Sequence, residues 1–300
     1  MKKRIILIMG GFLLCAIIIV FMVLSINSIN MRDLPGEIVI SNYDLSNSKE
    51  SGILIYKPST GEKKVIANKE RFPYINYDST GERLIAVKDI GDIFKSIRNY
   101  SLHEYSFKEN KFNPIAKTNP LDKDSFIDYE NIKYVPYSNK ISYVWDNKLY
   151  IYDINTETEK ELLDNIEDEY TWSKDASYFM YNNYDESMIY KYIIKDEKSV
   201  PVFKGESPVL SPGNKYLAYK EGYDNLSVID LQKGTKWRYN GFGITHYVFS
   251  PDERYIAIID GKRHTLFSIE HKIIVWDFEK DRVQDLFGGD TYWGMGLGWR

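Results

Sequence analysis

Aromatic, basic and imidazole side chains concentrate in three long segments between predicted strands, and they form the candidate binding set. Its members are Tyr43, Phe94, Lys95, Arg98, Lys262, Arg263, His264, Phe267 and His271. Aromatic and arginine side chains are enriched among the residues that anchor macromolecular interfaces. Carboxylates in the same segments dilute the positive charge, so the set does not predict a strong anion site. These carboxylates are Asp44, Glu50, Asp89, Asp92, Asp260 and Glu270.

The sequence contains no motif for covalent, phosphate or metal chemistry. The G-x-S-x-G, P-loop, H-E-x-x-H and C-x-x-C patterns are all absent. The acidic run DNIEDEY at residues 164–170 lacks the alternating ligand spacing of a calcium loop, and a solvated loop is the simpler interpretation. The four histidines are too scattered to form a metal site. No catalytic residue, cofactor or metal ligand is therefore assigned.

A repeat runs through the chain and must position these segments. YVFSPDERYIAIID at residues 247–260, PVLSPGNKYLAYK at 208–220 and YTWSKDASYFMYN at 170–182 share one pattern. Apolar residues lead into a serine, a polar turn follows, and an alternating apolar strand completes the unit. The anchor serines Ser138, Ser173, Ser211 and Ser250 are spaced 35, 38 and 39 residues apart. Because they recur at every turn, they are predicted to bond local backbone and not to act as nucleophiles.

A strand–turn–strand signal follows the serine turns, for example in KLYIYDINTETEKEL at residues 148–162 and KIIVWDFEKDRV at residues 272–283. Four strands per unit at a period near 40 residues are typical of a β-propeller blade. These residues resemble the TolB-like propeller repeat, a relative of WD repeats, and Trp276-Asp277 matches the WD dipeptide. The Gly-His pair of true WD repeats is missing, so the TolB-like repeat is the better match. The resemblance covers roughly residues 37–300 and implies an all-β fold, a six-bladed β-propeller.

The strands of each blade are called A to D in chain order. The repeat predicts blade two at residues 72–117, blade three at 132–164, blade four at 168–204, blade five at 207–239 and blade six at 245–288. Blade one has B, C and D strands within residues 37–66 but no preceding A strand. The C-terminal GLGWR resembles the missing A strand, so we expect Trp299 to lie beside Ile38 and the ring to close. An open ring would leave a strand edge bare, which proteins avoid.

Three connections between B and C strands are longer than the others, at residues 43–51, 89–98 and 260–271. They belong to blades one, two and six, which are neighbours in a closed ring. We therefore expect them to form one continuous surface, called the rim, which carries the candidate binding set. Exposed loops on a rigid scaffold are where binding usually resides. The alternative interpretation is that these are ordinary variable loops.

The first residues predict a membrane anchor. Lys2, Lys3 and Arg4 precede an uncharged apolar run that is long enough, at about 1.5 Å per residue, for a helix to cross the hydrocarbon core. A cleaved signal peptide is the alternative, although its apolar region is usually shorter. The predicted organisation is a basic cytoplasmic N-terminus at 1–4, a transmembrane helix at 5–25, a linker at 26–36 and the propeller at 37–300. The basic residues predict that the propeller lies outside the cell membrane.

Composition agrees with a β-rich domain and restricts its partners. The chain has 25 Tyr, 14 Phe and 6 Trp, and aromatic residues favour strands. Its net charge of −4 argues against nucleic acid as a partner, because nucleic-acid-binding domains usually carry a basic excess. The one cysteine, Cys15, lies in the predicted anchor, so no disulfide is expected in the propeller.

Two functions remain open from the sequence. The favoured one is a non-catalytic binding scaffold for a protein, peptide or polysaccharide of the cell envelope. The alternative is a carbohydrate-active hydrolase or lyase with its site in the central channel, where aromatic residues of the A strands would stack on sugars. Those residues are Tyr74, Tyr137, Trp172, Tyr247 and Trp299. They could instead pack between blades, and the A strands are poor in converging carboxylates, which favours binding over catalysis.

Overall fold

The structure is a computed structural model that describes residues 28–42, 52–78, 80–90, 100–115, 131–183, 185–265, 268–287 and 294–300. Within these ranges the secondary structure is strand, apart from a short 3-10 turn at Met31–Asp33. The predicted cytoplasmic segment and transmembrane helix, residues 1–25, lie outside the described residues. No helix within the described ranges is long and apolar enough to cross a membrane.

The described residues form six antiparallel sheets of four strands each. Blade one contains β1 (Ile38–Asn42), β2 (Gly52–Lys57) and β3 (Glu62–Asn68), and blade two contains β4 (Arg71–Tyr77), β5 (Arg83–Asp89), β6 (Tyr100–Ser106) and β7 (Lys111–Pro114). Blade three contains β8 (Lys133–Tyr134), β9 (Lys140–Trp145), β10 (Lys148–Asp153) and β11 (Thr158–Leu163). Blade four contains β12 (Ile166–Trp172), β13 (Tyr178–Asn183), β14 (Met188–Ile193) and β15 (Lys198–Lys204).

Blade five contains β16 (Glu206–Leu210), β17 (Tyr216–Lys220), β18 (Asn225–Asp230) and β19 (Lys236–Asn240). Blade six contains β20 (His246–Phe249), β21 (Tyr255–Thr265), β22 (Ser268–Asp277) and β23 (Arg282–Phe287). The last strand, β24 (Gly294–Trp299), joins blade one.

The observed blades lie where the repeat predicts them. Blade five, predicted at residues 207–239, runs from β16 to β19. The prediction succeeds because the alternating pattern and the polar turns set the strand ends locally. The acidic run at residues 164–170 needs a correction, because its residues from Ile166 onward belong to β12 and not to a solvated loop.

The ring is closed by antiparallel pairing of the last strand with the first. In the register of β24 and β1, Trp299 lies opposite Ile38 and Leu297 lies opposite Ile40. The pairing extends to Glu37, whose N–H donates to the Arg300 carbonyl at 2.8 Å and whose carbonyl accepts from the Arg300 N–H at 3.0 Å. The Trp299 indole Nε1 donates to the carbonyl of Pro35 at 2.7 Å. The predicted closure of blade one by the C-terminal strand is confirmed.

Glycine at two positions lets β24 reach blade two. A Cβ at Gly296 would lie 2.7 Å from Cγ1 of Ile75, and one at Gly298 would lie 2.9 Å from the ring of Tyr77. Atoms that close would clash, so a larger residue at either position would force the closing strand away from its neighbour. This geometry explains why glycine alternates with Leu297 and Trp299. The glycines lie on the side of the strand that has no room for a side chain, and Leu297 and Trp299 fill the core on the other side.

Large side chains fill the wedges between neighbouring blades. Between blades five and six, the Phe278 ring centroid lies 5.0 Å from that of Tyr216 and 5.3 Å from that of Trp237. Trp276, of the predicted WD dipeptide, is fully buried in the same cluster. The A strands contact one another from blade to blade, as β24 does with both β4 and β20. The core is therefore a ring of wedges around a central channel.

The anchor serines hold the turns between A and B strands, as predicted. The Oγ atoms of Ser173, Ser211 and Ser250 accept the backbone N–H five residues later, at 3.1, 2.9 and 3.0 Å. In blade two the Asp78 carboxylate takes this role and accepts the Arg83 N–H at 3.2 Å. In the shorter turn of blade three, Ser138 accepts from Lys140 at 3.2 Å.

Trp299→Ala should lower the free energy of unfolding by about 3–5 kcal/mol, because it removes a buried indole from the closing strand. Deletion of residues 294–300 should lower the melting temperature further, since it also exposes the edge of β1. Urea unfolding and differential scanning calorimetry of the full-length chain measure these changes. Val65→Ala is the control, because Val65 lies in the same blade but is 62% exposed. A deletion variant that melts with the wild type would contradict the closure.

Candidate functional site

The connections between strands divide the propeller into two faces. Since strands alternate in direction, the B–C and D–A connections emerge on one face, called the B–C face, and the A–B and C–D connections emerge on the other. The predicted rim belongs to the B–C face.

On the opposite face, the A–B turns of neighbouring blades are bonded to one another. The Arg300 guanidinium donates to the Gly81 carbonyl at 3.2 Å, and the Arg83 guanidinium donates to the Ser138 carbonyl at 3.0 Å. The Lys174 N–H donates to the Asn214 side chain at 3.0 Å, and Ser211 Oγ donates to the Glu253 carboxylate at 2.5 Å. These contacts link blades one to two, two to three, four to five and five to six. Polar groups on this face therefore stabilise the ring and are poor candidates for a ligand.

On the B–C face, the connection of blade six is a β-hairpin that projects from its sheet. Strand β20 pairs with β21 only as far as Ile259, and β23 pairs with β22 only as far as Ile273. Beyond those residues β21 and β22 continue for five more residue pairs, from Asp260–Lys272 to Thr265–Ser268. At about 3.4 Å per residue, this two-stranded ribbon extends roughly 17 Å beyond the sheet.

The prediction of an open loop at residues 260–271 is therefore wrong for most of that segment. Asp260 lies opposite Lys272, and Lys262 lies opposite Glu270. Backbone pairing therefore continues past the edge of the sheet.

The candidate binding set is only partly within the described residues. Lys262, Arg263 and His264 lie on one strand of the ribbon, and their side chains are not described. His271 lies on the other strand opposite Gly261, where burial lowers its pKa and the Asp260 carboxylate opposes the shift. The remaining members of the set, Tyr43, Phe94, Lys95, Arg98 and Phe267, lie outside the described residues. The grouping of all nine into one rim stays a prediction.

An aromatic pair beside the ribbon was missed by the sequence analysis. Tyr223, in the B–C connection of blade five, is 66% exposed, and the Phe242 ring lies edge-on to it at 6.4 Å between centroids. The Phe242 N–H donates to Asp260 at 2.7 Å, and the Gly243 N–H donates to Asp224 at 2.9 Å. These bonds hold the segment that presents Phe242. The sequence signal for this feature is a phenylalanine between two glycines in a polar turn.

Asp260 connects the ribbon to this aromatic pair. The residue is 4% exposed, and its carboxylate accepts the Tyr239 hydroxyl at 2.7 Å as well as the Phe242 N–H. Burial raises the pKa of Tyr239, and the neighbouring Asp260 carboxylate raises it further, so the phenol stays a hydrogen-bond donor. Such pre-organised aromatic contacts are characteristic of binding surfaces, because little conformational entropy is lost on association.

Charged side chains from several blades lie near the B–C face, in or beside the A strands. Glu169 lies in the A strand of blade four, and its carboxylate is 4.0 Å from the Lys220 ammonium of blade five. The Lys133 ammonium of blade three lies 5.1 Å from the centre of the Tyr170 ring. His246 begins the A strand of blade six, and its pKa is affected by both lysines. This set, called the channel cluster, contains both signs of charge.

The aromatic residues proposed to line a sugar-binding channel do not do so. Tyr74, Trp172, Tyr247 and Trp299 are buried in clusters between neighbouring blades. Tyr137 is 66% exposed, in the A–B turn of blade three on the opposite face. The alternative interpretation of these residues as interblade packing is confirmed for the four buried ones. Within the described ranges, no group of three or more His, Cys, Asp or Glu side chains is placed to hold a metal ion.

No protein-family model and no curated protein matches this sequence. Solved structures with a similar fold include TolB from Acinetobacter baumannii, which is 14% identical with a TM-score of 0.68 over 89% of this chain and 67% of that chain. A chain of the nidogen/laminin complex is 8% identical with a TM-score of 0.62, over 88% and 98% of the two chains. A protein assigned as TolB from Agrobacterium tumefaciens is 14% identical with a TM-score of 0.58, over 88% and 93%. At these identities the likeness shows the six-bladed propeller fold alone.

Asp260→Ala should increase hydrogen exchange at the Phe242 amide by about 10- to 100-fold, because a bond to a charged acceptor contributes roughly 1.5–3 kcal/mol. Asp260→Asn keeps an acceptor and should have a smaller effect. Exchange measured by NMR or mass spectrometry tests this. Asp285→Ala is the control, since Asp285 lies in the same blade with its side chain 58% exposed. Equal protection in all three variants would show that Asp260 does not hold this segment.

Proposed function

We propose that this protein is a membrane-tethered propeller outside the cytoplasm that binds a protein, peptide or envelope polysaccharide without catalysing a reaction. The observation that carries the proposal is the asymmetry between the two faces. On one face the A–B turns of neighbouring blades are bonded to one another, whereas the described part of the other face projects a ribbon beside a held aromatic pair. A rigid ring with one elaborated face is suited to binding.

The size and chemistry of this surface favour a macromolecular partner. The ribbon and the Tyr223–Phe242 pair come from neighbouring blades, and they combine aromatic, basic and acidic residues. Interfaces between proteins typically centre on such aromatic anchors with polar residues around them. One of the structures with a similar fold belongs to a complex between two proteins, nidogen and laminin. That complex supports a protein or peptide as the first partner to test.

Tethering to the membrane is supported by the apolar run at residues 5–25 and by the basic residues that precede it. The linker at residues 26–36 is short, so the propeller would remain close to the membrane surface. A partner would then be another membrane protein or a polymer within reach of that surface.

Cysteine labelling in intact cells tests the location. The chain has a single cysteine, Cys15, which the proposal places within the bilayer. Lys195→Cys introduces a thiol at an exposed C–D turn of the propeller. A membrane-impermeant maleimide should label the Lys195→Cys variant in intact cells and should leave the wild type unlabelled. Labelling that appears only after lysis would place the propeller in the cytoplasm.

Capture from membranes tests the rim. The full-length chain carrying Arg98→Ala, Arg263→Ala and Phe267→Ala should lose the partners that the wild type retains after cross-linking, because interface anchors of these types dominate binding energy. The loss should be at least about tenfold, corresponding to 1.4 kcal/mol. Quantitative mass spectrometry measures it, and binding to isolated envelope polysaccharide is measured in parallel.

A triple variant on the opposite face is the matched control. Lys108→Ala, Lys195→Ala and Lys233→Ala remove exposed cations from three C–D turns. This control should retain its partners, and both variants should melt at the temperature of the wild type. If the rim variant also retains its partners, the rim is not the binding surface.

A further inference from the structure

The described part of the predicted linker, residues 28–36, packs against the propeller. Ile29 is 6% exposed and Leu34 is 1% exposed, and both belong to the buried cluster between blades six and one. Met31–Asp33 forms a 3-10 turn between them. Burial of two large apolar side chains stabilises this arrangement. Residues 28–36, called the docked segment, are therefore part of the folded domain.

The docked segment enters blade one at the end of the strands that carries the A–B turns. The Trp299 indole Nε1, at the end of β24, donates to the Pro35 carbonyl at 2.7 Å. Gly36 has a left-handed φ of +68°, and a Cβ there would lie 1.8 Å from the Arg300 carbonyl oxygen and 3.4 Å from Cγ of Pro251. Only glycine fits this space without moving the backbone. Since Pro251 lies in the A–B turn of blade six, the junction is fixed on the face opposite the B–C face.

The docked segment and the ribbon lie at opposite ends of one strand. Strand β21 begins at Tyr255, which belongs to the same buried cluster as Ile29 and Leu34, and it ends at Thr265 in the ribbon. It has 11 residues, and at about 3.4 Å per step its two ends are roughly 34 Å apart. The end of the ribbon is therefore far from the place where the chain joins the propeller.

Little chain separates the docked segment from the proposed membrane anchor. The apolar run ends at Ser25, and three residues follow it before Ile29. An extended chain spans about 3.5 Å per residue, so Ile29 lies within about 14 Å of the end of a helix over residues 5–25. That reach is less than half of the length of β21. A propeller turned with its ribbon toward the bilayer would require the chain to span the longer distance.

We propose that the docked segment orients the propeller on the membrane, with the A–B and C–D turns facing the lipid surface and the ribbon pointing away from it. The inference rests on the membrane tether of the proposed function. The chain joins the ring at β1 and β24, the inner strands of blade one, and not at β3 on its outer edge. The ends of the strands, and not the outer edge of a blade, therefore face the bilayer. A partner of the ribbon must reach roughly 34 Å beyond the membrane-facing turns.

Energy transfer from a donor dye to acceptor-labelled lipid headgroups in nanodiscs tests the orientation. Cys15→Ser removes the native thiol from the full-length chain, and single cysteines are placed on both faces of two blades. The C–D positions, in blades six and three, are Lys280→Cys and Thr156→Cys. The B–C positions in the same blades are Thr265→Cys and Asp146→Cys.

Transfer from both C–D positions should exceed transfer from both B–C positions. The difference between Lys280 and Thr265 should be at least about twofold, because roughly 34 Å separates the ends of β21. Strong transfer from both positions in blade six, with weak transfer from both in blade three, would show a propeller lying on its edge and would overturn the proposal. Stronger transfer from the B–C positions of both blades would overturn it as well. Flotation of the full-length chain with phosphatidylcholine vesicles is measured separately, and a chain that does not float would refute the tether itself.

Lengthening the chain before the docked segment tests the role of that segment. A flexible Gly-Ser stretch of about twenty residues, inserted between Asn27 and Ser28, lets the chain span the height of a blade. The insertion should reduce the difference between C–D and B–C positions to less than about half. The melting temperature should not change, since Ile29 and Leu34 remain in place. Unchanged transfer at all four positions would show that the docked segment does not set the orientation.

Discussion

The hydrogen bonds between β24 and β1 complete blade one with the last strand of the chain and so close the ring. They join residues separated by nearly the whole chain, and Trp299 adds a buried indole and a bond to the Pro35 carbonyl at the same place. Each blade packs against two neighbours, so a missing strand in blade one would expose wedges on both sides. Closure also requires small residues at Gly296 and Gly298, because the closing strand must lie close to blade two.

Closure explains the difference between the two faces. The A–B turns must be bonded internally by a serine or Asp78, and several are also bonded to the next blade. The polar groups of those turns therefore stabilise the ring. On the B–C face of blade six, the strands of the ribbon continue past the sheet. Variation is tolerated where the ring does not need the residues, and binding surfaces arise in such places.

Rigidity at the base of the ribbon is provided by a few buried polar groups. The Asp260 carboxylate accepts hydrogen bonds from the Tyr239 hydroxyl of blade five and from the Phe242 N–H in the connection between blades five and six. The Asp224 carboxylate accepts the N–H of the adjacent Gly243. Buried carboxylates are costly unless fully bonded, so these contacts fix one geometry. At the start of β20, Nδ1 of His246 is buried without a hydrogen-bond partner in the described part of the chain.

The sequence by itself determined the number of blades, the closure by GLGWR and the role of the serines. These features depend on alternation and on turns a few residues long, which can be read locally. The tertiary structure alone decided that residues 260–271 form a ribbon and that Tyr74 and Trp172 pack between blades. It also brought Tyr223 to Phe242, and Glu169 to Lys220. Such contacts join residues from different blades, and their distances depend on how the closed ring places the blades around its axis.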